Sequence, residues 1–155
     1  MAEDDVDFVV LAHHQDDRWH VLELPPRLGE DFAGLVDALS HFSSDVGVLA
    51  MASVNDDFFV IVRQQDDRVR MLLSDFTAAL DWPIAADLVD ELKHGIPDED
   101  SDPVPFGDLE ILRDLGVTSV ELELLCTDDD LYPDDVLLDI GDQLGFGDQL
   151  SAIVG

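Results

Sequence analysis

The chain is short of cations. Only 7 of its 155 residues are Lys or Arg, and Lys93 is the sole lysine. Against them stand 37 Asp and Glu, for a formal net charge of −30. No cluster of Lys and Arg exists to release phosphate counterions. The composition therefore argues against direct nucleic-acid binding and against anionic membranes. Cys126 is the single cysteine, which excludes an internal disulfide. Apolar runs are all too short to span a bilayer. The opening residues, Met1-Ala2-Glu3-Asp4-Asp5, lack the positive region of a signal peptide. These absences together predict a cytoplasmic chain.

What is present is a folding composition. The hydrophobic set makes up 46% of the residues, enough for one ordinary core. An acidic disordered tail would combine high charge with low hydrophobicity, and only the first holds. The acid excess has two readings at this level. It is a solvation coat, of the kind a high-salt cytoplasm selects, or it steers the chain toward basic partners with salt-sensitive affinity.

The N-terminal pattern predicts strands. Phe8 to Ala12 is a short apolar run, Gln15-Asp16-Asp17-Arg18 breaks it, and Trp19 to Leu24 alternates, which together suggest a hairpin. Phe32, Leu35, Val36, Leu39 and Phe42 have helical spacing within Asp31 to Phe42. Three more strands are expected at Val46–Val54, Phe58–Arg63 and Arg68–Leu73, joined by Asn55-Asp56-Asp57 and Gln64-Gln65-Asp66-Asp67. Paired aspartates suit such turns, because Asp and Asn bond their own backbone and tolerate turn geometry. Ser74 or Asp75 can cap a following helix, and Asp81-Trp82-Pro83 opens another to about His94. The expectation is an α+β fold: a five-stranded, mainly antiparallel sheet with helices on one face, in a profilin-like or longin-like element order.

Residues 95–105 carry three prolines and four acidic groups and read as an acidic, Pro-rich linker between an α+β domain (1–94) and a helical C-terminal region (106–155). That region predicts helices at Asp108–Leu115, Thr118–Cys126, Pro133–Leu144 and Gly147–Ile153, with Thr118 to Glu121 as a capping box. Whether it stands alone or packs on the sheet is not decided by the pattern. Phe58 and Phe59 are adjacent on a strand and must point to opposite faces. One of them lies under the helical tail or in solvent.

Catalytic constellations are hard to find. Asp98, Asp100 and Asp102 alternate, as do Asp128 and Asp130. A calcium loop needs Gly at its sixth place and Glu at its twelfth, where the first run has Pro103 and Leu109 and the second Pro133 and Asp139. His13, His14, His20, His41 and His94 show no zinc spacing with Cys126. The His-x-Glu and Pro-Cys-x-x-Cys signature of zinc deaminases is absent. Cys126 sits among Leu122, Leu124 and Leu125 with aspartates following, a setting that raises a thiol pKa. The expectation is no catalytic residue, no metal and no cofactor.

The most site-like feature is Tyr132-Pro133 within Asp128, Asp129, Asp130, Asp134 and Asp135. An aromatic anchor ringed by negative charge suits a basic partner. A capped helix start behind a solvated acidic loop accounts for the same residues equally well.

Gly107-Asp108-Leu109-Glu110-Ile111-Leu112-Arg113-Asp114-Leu115-Gly116-Val117 resembles a segment of the bacterial family of tRNA adenosine deaminase-associated proteins. So do Asp130-Leu131-Tyr132-Pro133-Asp134-Asp135 and Leu144-Gly145-Phe146-Gly147. The N-terminal half is similar in layout, with its Asn-Asp-Asp turn before an aromatic strand. The resemblance implies association with a tRNA adenosine deaminase, the zinc enzyme that makes inosine at the wobble position, and it brings no catalytic residues with it. The resulting expectation is a non-catalytic accessory or regulatory protein that binds such an enzyme, as a nucleic-acid mimic at its tRNA surface in one version. The alternatives are an acidic module for another basic protein, and a small enzyme with an unrecognised site.

Overall fold

The structure, a computed structural model, describes residues 6–154 except Ser43, Asp67 and Asp129. Six antiparallel strands form one sheet: β1 (Val6–Gln15), β2 (Arg18–Glu23), β3 (Val48–Val54), β4 (Phe58–Gln65), β5 (Arg68–Leu73) and β6 (Phe106–Gly107). Their order is β2-β1-β3-β4-β5-β6. The expected five strands are the first five, and the expectation is corrected by β6, which adds to the β5 edge with Leu72 opposite Gly107. Two residues are too few to show a strand period. What admits them is Gly107, at φ +112°, where a Cβ would sit 2.5 Å from the Met71 carbonyl oxygen.

Aspartate shapes the turns, as the sequence suggests. Asp16 and Asp17 both have positive φ between the paired ends Gln15 and Arg18. That is the twist a two-residue hairpin needs. Asn55 and Asp56 are also left-handed at the β3–β4 turn, and so is Asp66 after β4. Asp67 lies outside the described residues.

Helices cover both faces rather than one. On the first face lie α1 (Phe32–Leu39) and α2 (Pro83–Glu91), with two short 3-10 turns, over Val9, Ala50, Phe58 and Val62. On the second lie α3 (Ser119–Thr127), α4 (Pro133–Leu144) and α5 (Gly147–Val154), over Val10, Met51, Phe59 and Ile61. Phe58 and Phe59 thus divide between the two cores, Phe59 under the C-terminal helices. The reason is visible in β3: all seven of its residues are buried, which only a doubly covered strand requires.

Asp108 to Leu115 is not the expected helix. It is a run of turns ending in a 3-10 turn at Arg113–Leu115. Side chains take the groups that a helix would use. Asp108 Oδ1 accepts from the Glu110 N–H at 2.9 Å, and arginines from the sheet donate to the Glu110 and Ile111 carbonyls at 2.7 Å each. Elsewhere two predicted caps accept backbone bonds: Asp75 Oδ1 from Thr77 N–H at 2.9 Å, and Thr118 Oγ1 from Glu121 N–H at 3.2 Å. Asp31 Oδ1 caps α1 in the same way, from Gly34 N–H at 2.9 Å.

The scarce cations hold this segment to the sheet. Arg63 on β4 is fully buried. Its guanidinium donates to Asp114 Oδ1 and Oδ2 at 2.6 and 2.8 Å, and to the Val46 carbonyl. Arg70 on β5 donates to Asp108 Oδ2 at 2.6 Å. At the far edge, Trp19 Nε1 donates to the Leu144 carbonyl at 2.9 Å and its ring lies 4.9 Å from that of Phe146. Gln149 on α5 accepts from Val21 N–H at 3.0 Å and donates to the Trp19 carbonyl at 2.8 Å, so one side chain closes part of the β2 edge.

Candidate partner-binding surface

The loop between α3 and α4 is built by its own aspartates. Asp128 Oδ1 accepts from Asp130 N–H at 2.9 Å, and Asp135 Oδ2 reaches back to Tyr132 N–H at 3.1 Å. Pro133 is buried at the first position of α4, and Asp134 and Asp135 occupy the first turn, where a carboxylate meets the positive end of the helix dipole. Asp128 and Asp135 therefore have structural duties. Asp128, Asp130 and Asp135 are nonetheless exposed, as is Tyr132, at 62%. Asp129 lies outside the described residues.

The fold also leaves apolar residues of the preceding helix exposed. Val120 and Leu124, one turn apart on α3, are 66% and 64% exposed, while Leu122 between them is buried. Glu121, Glu123 and Asp128 flank them in the chain and are exposed. Sequence reasoning passed over Val120 and Leu124. The signal lay in α3 itself, whose apolar residues fall on both sides of the helix, so that one side is left without a core.

More acid gathers beside it. Asp7 Oδ2 on β1 accepts from Ser53 Oγ at 2.8 Å and from Asp56 N–H at 2.9 Å. The Asp7 charge, then burial, then the charge of Asp134 push the Asp56 carboxyl above its ordinary value of 3.8. Asp57 is pushed up as well, by burial first and then by Asp75 and Asp81. The β3–β4 turn and the start of α4 thus share one field. Cys126 lines a small cleft of about 40 Å³ with Asp57, Leu131 and Pro133. Burial, and secondarily Glu123, pushes its thiol up to about 12, which favours the protonated thiol at neutral pH.

Among the described residues, no group of three His, Cys, Asp or Glu side chains converges in a way that could hold a metal ion. Asp98 Oδ1 instead accepts from Asp100 N–H at 3.0 Å, a local turn. His20 stacks on His13, its partner across the hairpin, at 5.1 Å. His14 faces Asp45 Oδ2 at 3.3 Å. No helix among the described residues is long and apolar enough to cross a membrane.

These features define an acidic α+β protein with a doubly covered antiparallel sheet and with three large side chains, Val120, Leu124 and Tyr132, exposed in an acidic stretch of the chain. The chain belongs to the family described as Rv3753c-like tRNA adenosine deaminase-associated protein, whose model matches residues 7–147. It is similar to Protein Rv3753c of Mycobacterium tuberculosis, with 37% identity over 150 residues, covering 95% of this chain and 87% of the relative. No solved structure matches it.

Proposed function

We propose that this protein is a non-catalytic accessory protein that binds a tRNA adenosine deaminase in the cytoplasm. Its contact surface is formed by Val120, Leu124 and Tyr132 together with Asp128, Asp130, Asp134 and Asp135. The family description supports the choice of partner. The observation that carries the surface is three large apolar side chains, each more than 60% exposed, in a stretch whose neighbours are acidic. Water-exposed apolar anchors within a charged rim have the anatomy of a protein interface. An enzyme that grips an anticodon stem-loop presents basic surface to phosphate. A carboxylate-rich face offers that surface a similar charge pattern, so the proposal extends to competition with tRNA.

Calorimetry of the purified protein with the deaminase from the same organism tests this, at two salt concentrations and with or without tRNA. Binding that weakens with salt and that tRNA competes away supports both halves. Binding that is additive with tRNA retains the accessory role and removes the mimicry. No binding at either salt concentration removes the partner.

A further inference from the structure

We infer that the groove between α1 and α2, on the opposite side of the sheet from Tyr132, is a second docking site, and that it takes a short basic amphipathic segment of a partner protein. The groove has a volume of about 500 Å³. Its floor is Val69 and Met71 of β5, and its apolar wall is Ala33 and Val36 of α1. Val36 and Val69 are only half-buried and Ala33 is exposed, so the two helices do not close over this part of the sheet.

The other wall identifies the occupant. It is lined by Asp87, Asp90 and Glu91 of α2, all exposed. Among the described residues none of the three pairs with a cation. Asp90 and Glu91 also stand in the last turn of α2, which contains no basic residue. A helix C-terminus carries partial negative charge, so carboxylates there are disfavoured until a cation arrives. Lys93, beyond the turn, is the chain's only lysine. A segment with lysines or arginines on one side and leucine-like residues on the other satisfies both walls at once: the cations meet α2 and the apolar side chains cover Val36 and Val69. The same carboxylates repel nucleic acid and anionic lipid.

The probe is a fluorescein-labelled peptide of leucine and lysine patterned as an amphipathic helix, followed by anisotropy at about 0.15 M salt. A scrambled peptide of equal composition runs beside it. Three variants are compared with the native chain. Ala33→Arg fills and charges the groove at an exposed position. D87N/D90N/E91Q neutralises its rim. D139N/D142N/D148N removes equal charge from exposed positions of α4 and α5 on the other face. The expected result is saturable single-site binding, weakened about tenfold by each groove variant and by scrambling, and changed less than about twofold by the distant neutralisations. The inference is overturned if the native chain shows no saturable binding, if the scrambled peptide binds as well, or if the distant variant loses as much as the rim variant. Circular dichroism confirms that Ala33→Arg folds, and should it not, the rim variant decides. None of these outcomes depends on a deaminase.

Discussion

Arg63 and Asp114 form a two-pronged pair, with Nη1 to Oδ1 at 2.6 Å and Nη2 to Oδ2 at 2.8 Å, that joins the centre of the sheet to the start of the C-terminal region. The guanidinium is wholly buried and the carboxylate is half-exposed. The arginine is therefore the member that suffers when the pair is broken. Asp114→Ala is expected to destabilise the protein by about 2–3 kcal/mol, because it leaves a buried charge with only backbone carbonyls. Adding Arg63→Met is expected to recover part of that loss. Urea unfolding of the two single variants and the double variant measures the coupling.

The second prediction concerns pH. Asp56 and Asp57 have raised pKa values, so the folded state binds their protons more tightly than the unfolded chain does. The stability they withhold at neutral pH returns as pH falls through their folded values toward 3.8. Asp114 is depressed by its bond to Arg63. For Asp108, burial pushes upward but the bonds from Arg70 and the Glu110 N–H outweigh it, and the result is also depressed. Those two contribute stability above 3.8 and lose it as pH falls through their folded values. Tm is expected to rise as pH falls from neutral toward 3.8 and to fall again below it. Asp56→Asn should raise Tm at pH 7, with the gain shrinking toward about pH 4. A thermal-melt series over that range reads both effects.

The β2 edge supplies the third. Gln149→Ala leaves the Val21 N–H and the Trp19 carbonyl open on an edge strand. The expected cost is about 1–2 kcal/mol, with more self-association at high protein concentration. Urea unfolding and light scattering after gel filtration report on each. An unchanged unfolding midpoint would mean that water replaces the glutamine without loss.

The fourth concerns the proposed interface. Tyr132→Ala and Leu124→Asp are each expected to weaken deaminase binding by about tenfold while leaving the unfolding midpoint nearly unchanged, since both side chains face solvent. Asp135→Asn is the structural contrast. It touches the bond to the Tyr132 N–H, so it acts on the start of α4 as well as on charge.

Much of the first half of the fold was legible locally. The aspartate turns at Asp16–Asp17 and Asn55–Asp56 were readable because left-handed backbone favours those residues wherever they stand. The sixth strand and the non-helical run from Asp108 to Leu115 were not. Both depend on partners far away in the chain: Met71 beside Gly107, Arg63 beside Asp114, Arg70 beside Asp108. The apolar run of β3 did carry a sign of two-sided burial, since a strand with one wet face alternates.

The candidate surface divides in the same way. Tyr132 and its aspartates stand together in the chain, so their grouping follows from sequence alone. The exposure of Val120 and Leu124 does not, because it depends on which side of α3 meets the core. The sequence by itself determined composition, charge, turn chemistry and family. Tertiary structure decided which faces were covered, which apolar residues were left in water, and where Arg63 and Arg70 met their carboxylates. Turn preference and charge belong to single residues and their neighbours, whereas burial and ion pairing belong to residues that only folding brings together.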